Sequence, residues 1–460
     1  MLPVTLREIA QAAEGQLERL DGDCVVASLS TDSRTIQEGD LYWALPGENF
    51  DGHDYCREAL AKGALGVVIQ NNKLPGIEIP CVRVPDTLYA LGELARLLRN
   101  KTSARVVGIT GSVGKTSTKE FIRHAVGRVM KTKATEGNYN NLVGLPKTLM
   151  NVEPDDQWLV LELGTDRPGE MKRLVEIAQP QAGVVTAISE AHLERMGSIE
   201  GVFREKSELL KGLPPDGKAV IPQGSRFRED LAAVTEAGVI TFGTEKGSEY
   251  HAVDPTLRTS GCYGFMLETP AGKGEVALQV PGLHQVYAAT AAAAAAVSSG
   301  LSLESVIEGL QTFSGLPGRC QIINLAGSIT LIADHYNANP VSMAAAQRLL
   351  ETFLERRKVF VAGEMWDLGK RSPELHEMVG NTIGSGNVDL LVAVGPLTRH
   401  LVLGARNAGL SNQCIRWFEN IDTASKELIR LLEPSDVVLV KGSRGMKMEG
   451  ILEALTRHFG

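Results

Sequence analysis

The chain has 460 residues, a net charge of −8 and 22% charged residues. At roughly 150 residues per domain this length predicts two to four domains, and so mild an acidity excludes bulk attraction to nucleic acid or anionic membrane. Nothing approaches the ~20 unbroken apolar residues of a membrane span.

Residues 1–82 alternate short strands and helices: strands at 25–28, 41–45 and 66–69, with a helix over 56–62. Two polar clusters interrupt them. Thr31-Asp32-Ser33-Arg34 is a small-polar turn whose guanidinium is able to grip a phosphate in bidentate fashion. Pro46-Gly47-Glu48-Asn49-Phe50-Asp51-Gly52-His53 is a glycine-punctuated loop with donors and acceptors. Both also read as plain turns, since Asp, Ser, Asn and Gly favour turns in any case. The N-terminus has no charged-then-apolar leader pattern. Six scattered cysteines (Cys24, Cys56, Cys81, Cys262, Cys320, Cys414) form no CxxC pair, which fits a reduced cytoplasmic compartment rather than zinc or disulfides.

The segment 83–315 begins with a helix over 88–98 and reaches Arg105-Val106-Val107-Gly108-Ile109-Thr110-Gly111-Ser112-Val113-Gly114-Lys115-Thr116-Ser117-Thr118. An apolar β-branched run, a glycine-spaced turn and an amphipathic helix point backbone N–H groups at one spot, which suits phosphate. Lys115 would reach the outer phosphates and the Thr116 hydroxyl would ligate Mg²⁺, so the stretch reads as an ATP site. The loop is a variant: the eight-residue template wants a glycine where Ile109 stands, with Gly108 and Gly111 on either side. After Gly137-Asn138-Tyr139-Asn140-Asn141-Leu142-Val143-Gly144-Leu145-Pro146 comes a strand, 158–164, whose C-terminal end carries Glu162. Ligands of open parallel sheets sit at the carboxyl ends of strands, so Glu162 is placed to hold a metal; a strand-end acid facing solvent is the alternative. The next strand, 182–188, exits through Ser189 to Glu194 and brings His192 to the same edge. Lys206 follows on a helix over 199–210, where Arg204, Glu205 and Glu208 around it read first as a charged face in water. Strands are expected at 219–221, 239–242 and 276–280, and Ala288 to Val297 as a closely packed helix.

The last segment, 316–460, opens at Leu316-Pro317-Gly318-Arg319. Strand 329–333 ends in Asp334 and leads into His335-Tyr336-Asn337-Ala338-Asn339-Pro340 and a helix. Further strands at 358–363, 388–395 and 436–441 alternate with helices, the pattern of a parallel sheet. Lys441-Gly442-Ser443-Arg444-Gly445 makes another anion-friendly edge. The chain is therefore expected to be α/β throughout.

Taken in order, Thr31 to Arg34, Asp51-Gly52-His53, the phosphate loop, Gly137 to Pro146, Glu162-Leu163-Gly164, Asp334 to Pro340, Gly363-Glu364-Met365-Trp366-Asp367-Leu368-Gly369 and Lys441 to Arg444 resemble the Mur ligases, ATP-dependent amide-forming enzymes of cell-wall precursor synthesis. The resemblance implies three α/β domains: a small N-terminal UDP-substrate domain (1–82), a central P-loop-type ATPase domain with a parallel-rich sheet (83–315) and a Rossmann-like C-terminal domain for the incoming dipeptide (316–460). The Gly-Asn-Tyr-Asn-Asn and Tyr-Asn-Ala-Asn-Pro pieces tilt it towards joining D-alanyl-D-alanine to UDP-N-acetylmuramoyl-tripeptide, a step of peptidoglycan synthesis, by a monomer in the cytoplasm with ATP and Mg²⁺. By position, Lys115, Glu162, His192 and Lys206 would be catalytic, and Thr116, Glu162 and His192 would hold magnesium. Gly111, Ser112, Val113, Gly114, Lys115, Thr116, Ser117, Asn141, Arg319 and Asp334 would meet the nucleotide. Ser33, Arg34, Asn138, Asn140, Asn337 and Asn339 would meet the other substrates. Lys206 matches a lysine that several members carry as a carbamate.

There are departures. Gln285 and Ala288 stand where the family offers asparagines towards adenine, His335 replaces a serine and Glu364 an aspartate. Another Mur-type or folylpolyglutamate-type ligase remains an alternative, as does a nucleotide-binding relative without catalysis.

Overall fold

A computed structural model describes residues 1–47, 49–75, 78–258 and 261–460; Glu48, part of the loop read from Pro46 to His53, lies outside the described residues. The chain divides into two units, one of residues 1–108, 130–165 and 169–181, the other of 109–129, 166–168 and 182–460.

In the first unit a five-stranded sheet runs in the order Gln16–Glu18, Cys81–Val84, Gly66–Gln70, Leu41–Trp43, Leu29–Ser30. All its pairs are parallel except the first. Near-continuous apolar strands are what a sheet covered on both faces requires. Successive side chains point to opposite faces, so Leu41, Trp43, Val68 and Val82 pack with Leu91, Leu94 and Leu98, while Tyr42, Val67, Ile69 and Cys81 pack with Cys56 and Ala59. The helix Thr87–Asn100 starts where the Asp86 carboxylate accepts from the Tyr89 N–H, and Trp43 Nε1 donates to the Thr87 carbonyl at 2.8 Å. This unit also carries the buried strand Trp158–Glu162, paired in parallel with Thr132–Ala134.

In the second unit Ala182–Val185, Lys218–Pro222, Gly238–Gly243 and Tyr250–Leu257 pair in parallel order, and Cys262–Thr269 and Gly272–Pro281 continue antiparallel. The strand Arg105–Thr110 crosses from one unit to the other after Gly108. A separate six-stranded sheet has the order Gln321–Asn324, Thr330–Ala333, Val437–Lys441, Lys358–Ala362, Leu390–Val394, Ile415–Phe418. It is parallel but for its first pair, and both faces are covered. The α/β reading holds, and the strands anticipated in both segments are present. The edge strands Gln16–Glu18, Gln321–Asn324 and Ile415–Phe418 were not anticipated; they are three or four residues long and largely half-buried or exposed.

The alanine run is the buried helix Leu283–Ser298, with Ala291 to Ala296 wholly inaccessible. It packs, with Leu303–Leu310, on the helix Lys115–Gly127 that follows the phosphate loop. Alanine suits this position because a small side chain lets helices approach closely. Among the described residues no helix is long and apolar enough to cross a membrane, and all six cysteines are free.

The closest approach in this layer is at Gly309, where a Cβ would lie 2.4 Å from Ala125 Cα and 2.7 Å from the His124 carbonyl oxygen. Gly309→Ala is expected to destabilise the fold by about 1–3 kcal/mol through overpacking. Denaturant unfolding monitored by circular dichroism measures it, and an unchanged midpoint would contradict this packing.

Candidate active site

The phosphate loop is shaped by what lies behind it. Gly111 has φ +152, and a Cβ there would sit 1.9 Å from Thr186 Oγ1 and 3.0 Å from the Ala187 nitrogen, so only glycine lets the loop lie this close to the exit of the neighbouring strand. Thr186 Oγ1 donates to the carbonyls of Val113 (2.5 Å) and Thr110 (3.2 Å). Ser112 N–H donates to the Ala187 carbonyl at 2.8 Å, and the Ser112 hydroxyl donates to the Ser189 carbonyl at 3.0 Å. Gly114, at φ +82, is the N-cap of Lys115–Gly127 and has no side-chain cap, so the helix N-terminus faces the loop with no side-chain oxygen laid across it. Lys115 Nζ donates to the Gly111 carbonyl at 2.7 Å, and Thr116 is buried beside it. A rigid cradle, a helix N-terminus and a lysine together fit the phosphates of ATP.

His192 and Lys206 share the electrostatic surroundings of Lys115. Lys206 is only 3% exposed. Burial first, and then the charge of Lys115, push its ammonium down to about 7, with Glu205 and Asp166 partly offsetting them. A charged face turned to solvent was one reading of this helix; at Lys206 the face is buried. His192 has φ +53 at the N-cap of the short helix Leu193–Met196. Its Nδ1 lies 3.3 Å from Asp166 and 3.8 Å from Asp367. Burial lowers its pKa most; Asp166 and Asp367 pull upward, and Lys115 and Lys206 push downward. Asp166 and Asp367 were given no role by the sequence reading, although one follows the Glu162 strand closely and the other lies inside a quoted motif.

In the first unit, Glu162 is 3% exposed at the end of its strand, so it does not face solvent. Its carboxylate accepts from Asn140 Nδ2 at 2.9 Å, while its N–H donates to Thr135 Oγ1. A Cβ on Gly164 would lie 2.7 Å from the same amide nitrogen. Asn138 and Asn141 are exposed; Asn141 Oδ1 accepts from the N–H groups of Val143 and Gly144, where the helix Gly144–Met150 begins. Arg34 is already engaged, since its guanidinium forks onto Asp32 at 2.7–3.2 Å. Ser33 is buried, and its carbonyl accepts from Lys62 Nζ. His53 Nε2 accepts from the Gln70 N–H at 3.0 Å, which puts the ring proton on Nδ1, 2.5 Å from Asp51. Asp51 also takes Lys73 Nζ at 2.7 Å, so this motif staples a turn.

In the C-terminal segment Lys441 Nζ donates to Asp334 Oδ2 at 2.7 Å and to the Asn337 carbonyl at 2.9 Å. The Arg319 guanidinium lies over the Tyr336 ring, 4.1 Å from its centroid. Asn337 accepts from the next N–H, that of Ala338. Asn339 caps the helix Pro340–Glu351 through reciprocal bonds with Ser342. Gln285 is buried, with Nε2 3.2 Å from His284 Nε2; its Oε1 has no hydrogen-bond partner among the described residues. Glu364 gains a structural account. Its two oxygens accept from the Leu397 N–H (2.8 Å) and the Trp366 indole N–H (2.7 Å), a span for which the carboxylate is held beside Gly395. Nothing in the structure explains His335 in place of serine.

Among the described residues no three His, Cys, Asp or Glu side chains stand together as a preformed metal cage. Magnesium bound largely by phosphates and water needs none.

A phosphate cradle with a lysine, a buried second lysine and a histidine flanked by carboxylates, set in α/β sheets, defines a nucleotide-dependent transferase or ligase of the P-loop type. Three family models cover most of the chain: the Mur ligase family catalytic domain at 25–99, the Mur ligase middle domain at 109–296 and the Mur ligase glutamate ligase domain at 318–444. The chain belongs to the Mur ligase family. The middle-domain match contains Lys115, Glu162, His192 and Lys206 together. The UDP-N-acetylmuramoyl-tripeptide–D-alanyl-D-alanine ligase of Escherichia coli K12 is 34% identical over 99% of both chains. A crystal structure of MurF from Acinetobacter baumannii superposes with a TM-score of 0.93 at 33% identity over 99% of both. The MurF ligase of Thermotoga maritima in complex with ADP gives 0.83 at 27% identity, covering 94% of this chain and 97% of that one.

Gly111→Ala is expected to leave a folded protein with ADP binding weakened by tenfold or more, since about 1.4 kcal/mol of lost contact suffices. Calorimetric titration with ADP measures this, and unaltered affinity would show that the loop does not cradle phosphate.

Proposed function

We propose that this chain joins the amine of D-alanyl-D-alanine to the C-terminal carboxylate of UDP-N-acetylmuramoyl-tripeptide at the expense of ATP, as a monomeric cytoplasmic enzyme of peptidoglycan precursor synthesis. The observation that carries the reading is the buried Lys206 beside Lys115 and His192 at a phosphate cradle, in a chain alike over its whole length to ligases named for this reaction.

A carboxylate oxygen of the tripeptide attacks the γ-phosphorus, the bond to ADP breaks, and an acyl phosphate forms. The dipeptide amine then attacks the acyl carbon, phosphate leaves with its oxygen, and the amine gives up a proton. Neither step needs a covalent enzyme nucleophile, so the protein's share is positioning and charge stabilisation. Lys115 neutralises charge on the transferring phosphoryl group, and the loop from Gly111 to Ser117 orients it. Thr116, Glu162 and His192 would hold magnesium, which would supply further charge neutralisation for the phosphates; Asn140 donates to the Glu162 carboxylate and orients it. Arg319, Asp334 and Asn141 belong to the nucleotide, with the Gln285 amide as the available polar group towards adenine. Ser33 and Arg34 belong to the UDP moiety, and Asn138, Asn140, Asn337 and Asn339 to the peptide substrates. We assign the domain boundaries to 82/83 and 315/316.

Lys206 is carbamylated in this reading. Its amine must be neutral to take up CO₂, losing a proton and becoming an anion suited to magnesium. A pKa pushed down to about 7 provides that neutral fraction. Below this value the amine is protonated and inert; above it, it reacts. CO₂-stripped enzyme is therefore expected to regain activity with bicarbonate quickly above pH 7 and slowly below it. Lys206→Ala should lose roughly 10²-fold in kcat and gain nothing from bicarbonate. Full activity of Lys206→Ala would overturn the assignment.

The function itself is tested by incubating purified protein with ATP, Mg²⁺, UDP-N-acetylmuramoyl-tripeptide and D-alanyl-D-alanine, and following pentapeptide mass and phosphate release. One phosphate per pentapeptide is expected. Phosphate release only with glutamate or another acceptor would replace this reading with the folylpolyglutamate-type or another Mur-type ligase. No release with any acceptor would favour a non-catalytic relative.

A further inference from the structure

Resting on that ligase reading, we propose that Asp367 is the anchor for the ammonium group of the incoming dipeptide. The dipeptide enters as a cation at its reacting end, and the charge of Lys115 already lies at the reaction centre. An ammonium placed there needs a carboxylate that is close to the centre and still open to solvent. In the second unit, two carboxylates flank His192. Asp166 is the nearer of the two, and its charge also falls on Lys206. Asp367 stands at 3.8 Å, with 64% of its side chain accessible, on a loop distant in sequence from the phosphate cradle.

The loop carrying Asp367 is built to hold it there. The Trp366 N–H donates to Ser443 Oγ at 2.8 Å, and its indole N–H donates to Glu364 Oε2 at 2.7 Å. A Cβ on Gly445 would lie 2.0 Å from the Trp366 ring, so the indole lies flush on that backbone. Beyond it, the Asp367 carbonyl accepts from the Glu194 N–H, and Gly369, at φ +58, packs closely on Glu194, where a Cβ would lie 3.1 Å from its Cα. Asp367 itself has φ +63, a left-handed conformation that a non-glycine residue keeps only where its surroundings enforce it. The mount on one side and the 192–194 segment on the other fix the carboxylate at the edge of the reaction centre. An ammonium held by Asp367 is delivered beside the site of acyl phosphate formation, where it passes one proton to solvent water, the neutral amine bonds to the acyl carbon, and phosphate leaves with the bridging oxygen.

The test separates amine capture from everything else. Asp367→Asn removes the charge at nearly constant shape and is expected to raise the KM for D-alanyl-D-alanine about 10- to 100-fold, the loss of one charge-assisted hydrogen bond. The KM values for ATP and UDP-N-acetylmuramoyl-tripeptide should move less than about twofold. Hydroxylamine, a small nucleophile that is neutral at assay pH and needs no anchor, should still trap the acyl phosphate as hydroxamate in this variant. Asp367→Glu should recover most of the dipeptide KM. An unchanged dipeptide KM overturns the proposal. So does parallel loss with dipeptide and hydroxylamine, or a joint shift of all three KM values, because each marks a structural role. If Asp367→Asn does not fold, binding of D-alanyl-D-alanine and its N-acetyl derivative to the wild-type enzyme with ATP and nucleotide substrate decides: equal affinity overturns the anchor. Wild-type protein that makes no pentapeptide defeats the ligase reading instead, and the two failures are distinct.

Discussion

The approach of Gly111 to Thr186 is the contact on which the site depends. Two segments from neighbouring strands, 110–114 and 186–189, lie so close that a single methyl group would not fit between them. The Thr186 hydroxyl and Ser112 bridge the two through hydrogen bonds to backbone carbonyls. Because this seam is rigid, the direction of the helix Lys115–Gly127 is rigid too, and Lys115 is presented at a fixed point. The segment after Ser189 then starts from a fixed place and carries His192 towards the same point. Positioning of this kind is the main catalytic resource open to an enzyme that uses no covalent nucleophile.

Charge in this region is arranged against itself. Lys206 is buried within reach of the field of Lys115, and the cost appears as an ammonium held near 7. His192 feels both lysines and is steadied by Asp166 and Asp367. Glu205 and Asp166 offset part of the repulsion in this arrangement. Anionic ligands complete it, since each negative charge entering the cradle relieves the lysines as well as binding to them.

How far the sequence exposed this follows from what each feature depends on. The β-branched runs and the glycine-spaced loop are local patterns, so the sheets, the phosphate loop and the alanine helix were readable in advance. Lys206 was not decidable from its helix alone, because burial comes from packing partners distant in sequence. Arg34 read as an anion grip, yet Asp32, two residues away, already occupies its fork; local pairing competes with ligand binding, and sequence does not say which prevails. Asn141 and Asn339 illustrate the reverse. Asn339 caps its helix and Asn141 ties the turn before its own, yet the motif containing each drew attention first to substrate. Glu364 could not be explained before the fold, because its partners Trp366 and Leu397 and the space left by Gly395 come together only in three dimensions.

The same distinction explains why the carboxylates around His192 escaped notice while the lysines did not. A lysine after a glycine-rich turn has a recognisable neighbour in sequence. Asp166 and Asp367 are two hundred residues apart, and each alone is an ordinary loop acid. They acquire meaning only because His192, held in a left-handed turn, presents one ring nitrogen towards both. The anionic half of the site is thus assembled by topology, as Lys206 is, whereas Lys115 and its cradle are written into a contiguous motif. An enzyme that must receive an anionic nucleotide and a cationic amine at one point needs both halves. The amine-facing half, being carried on loops rather than on a helix N-terminus, is the half free to vary with the acceptor while the phosphate cradle stays fixed.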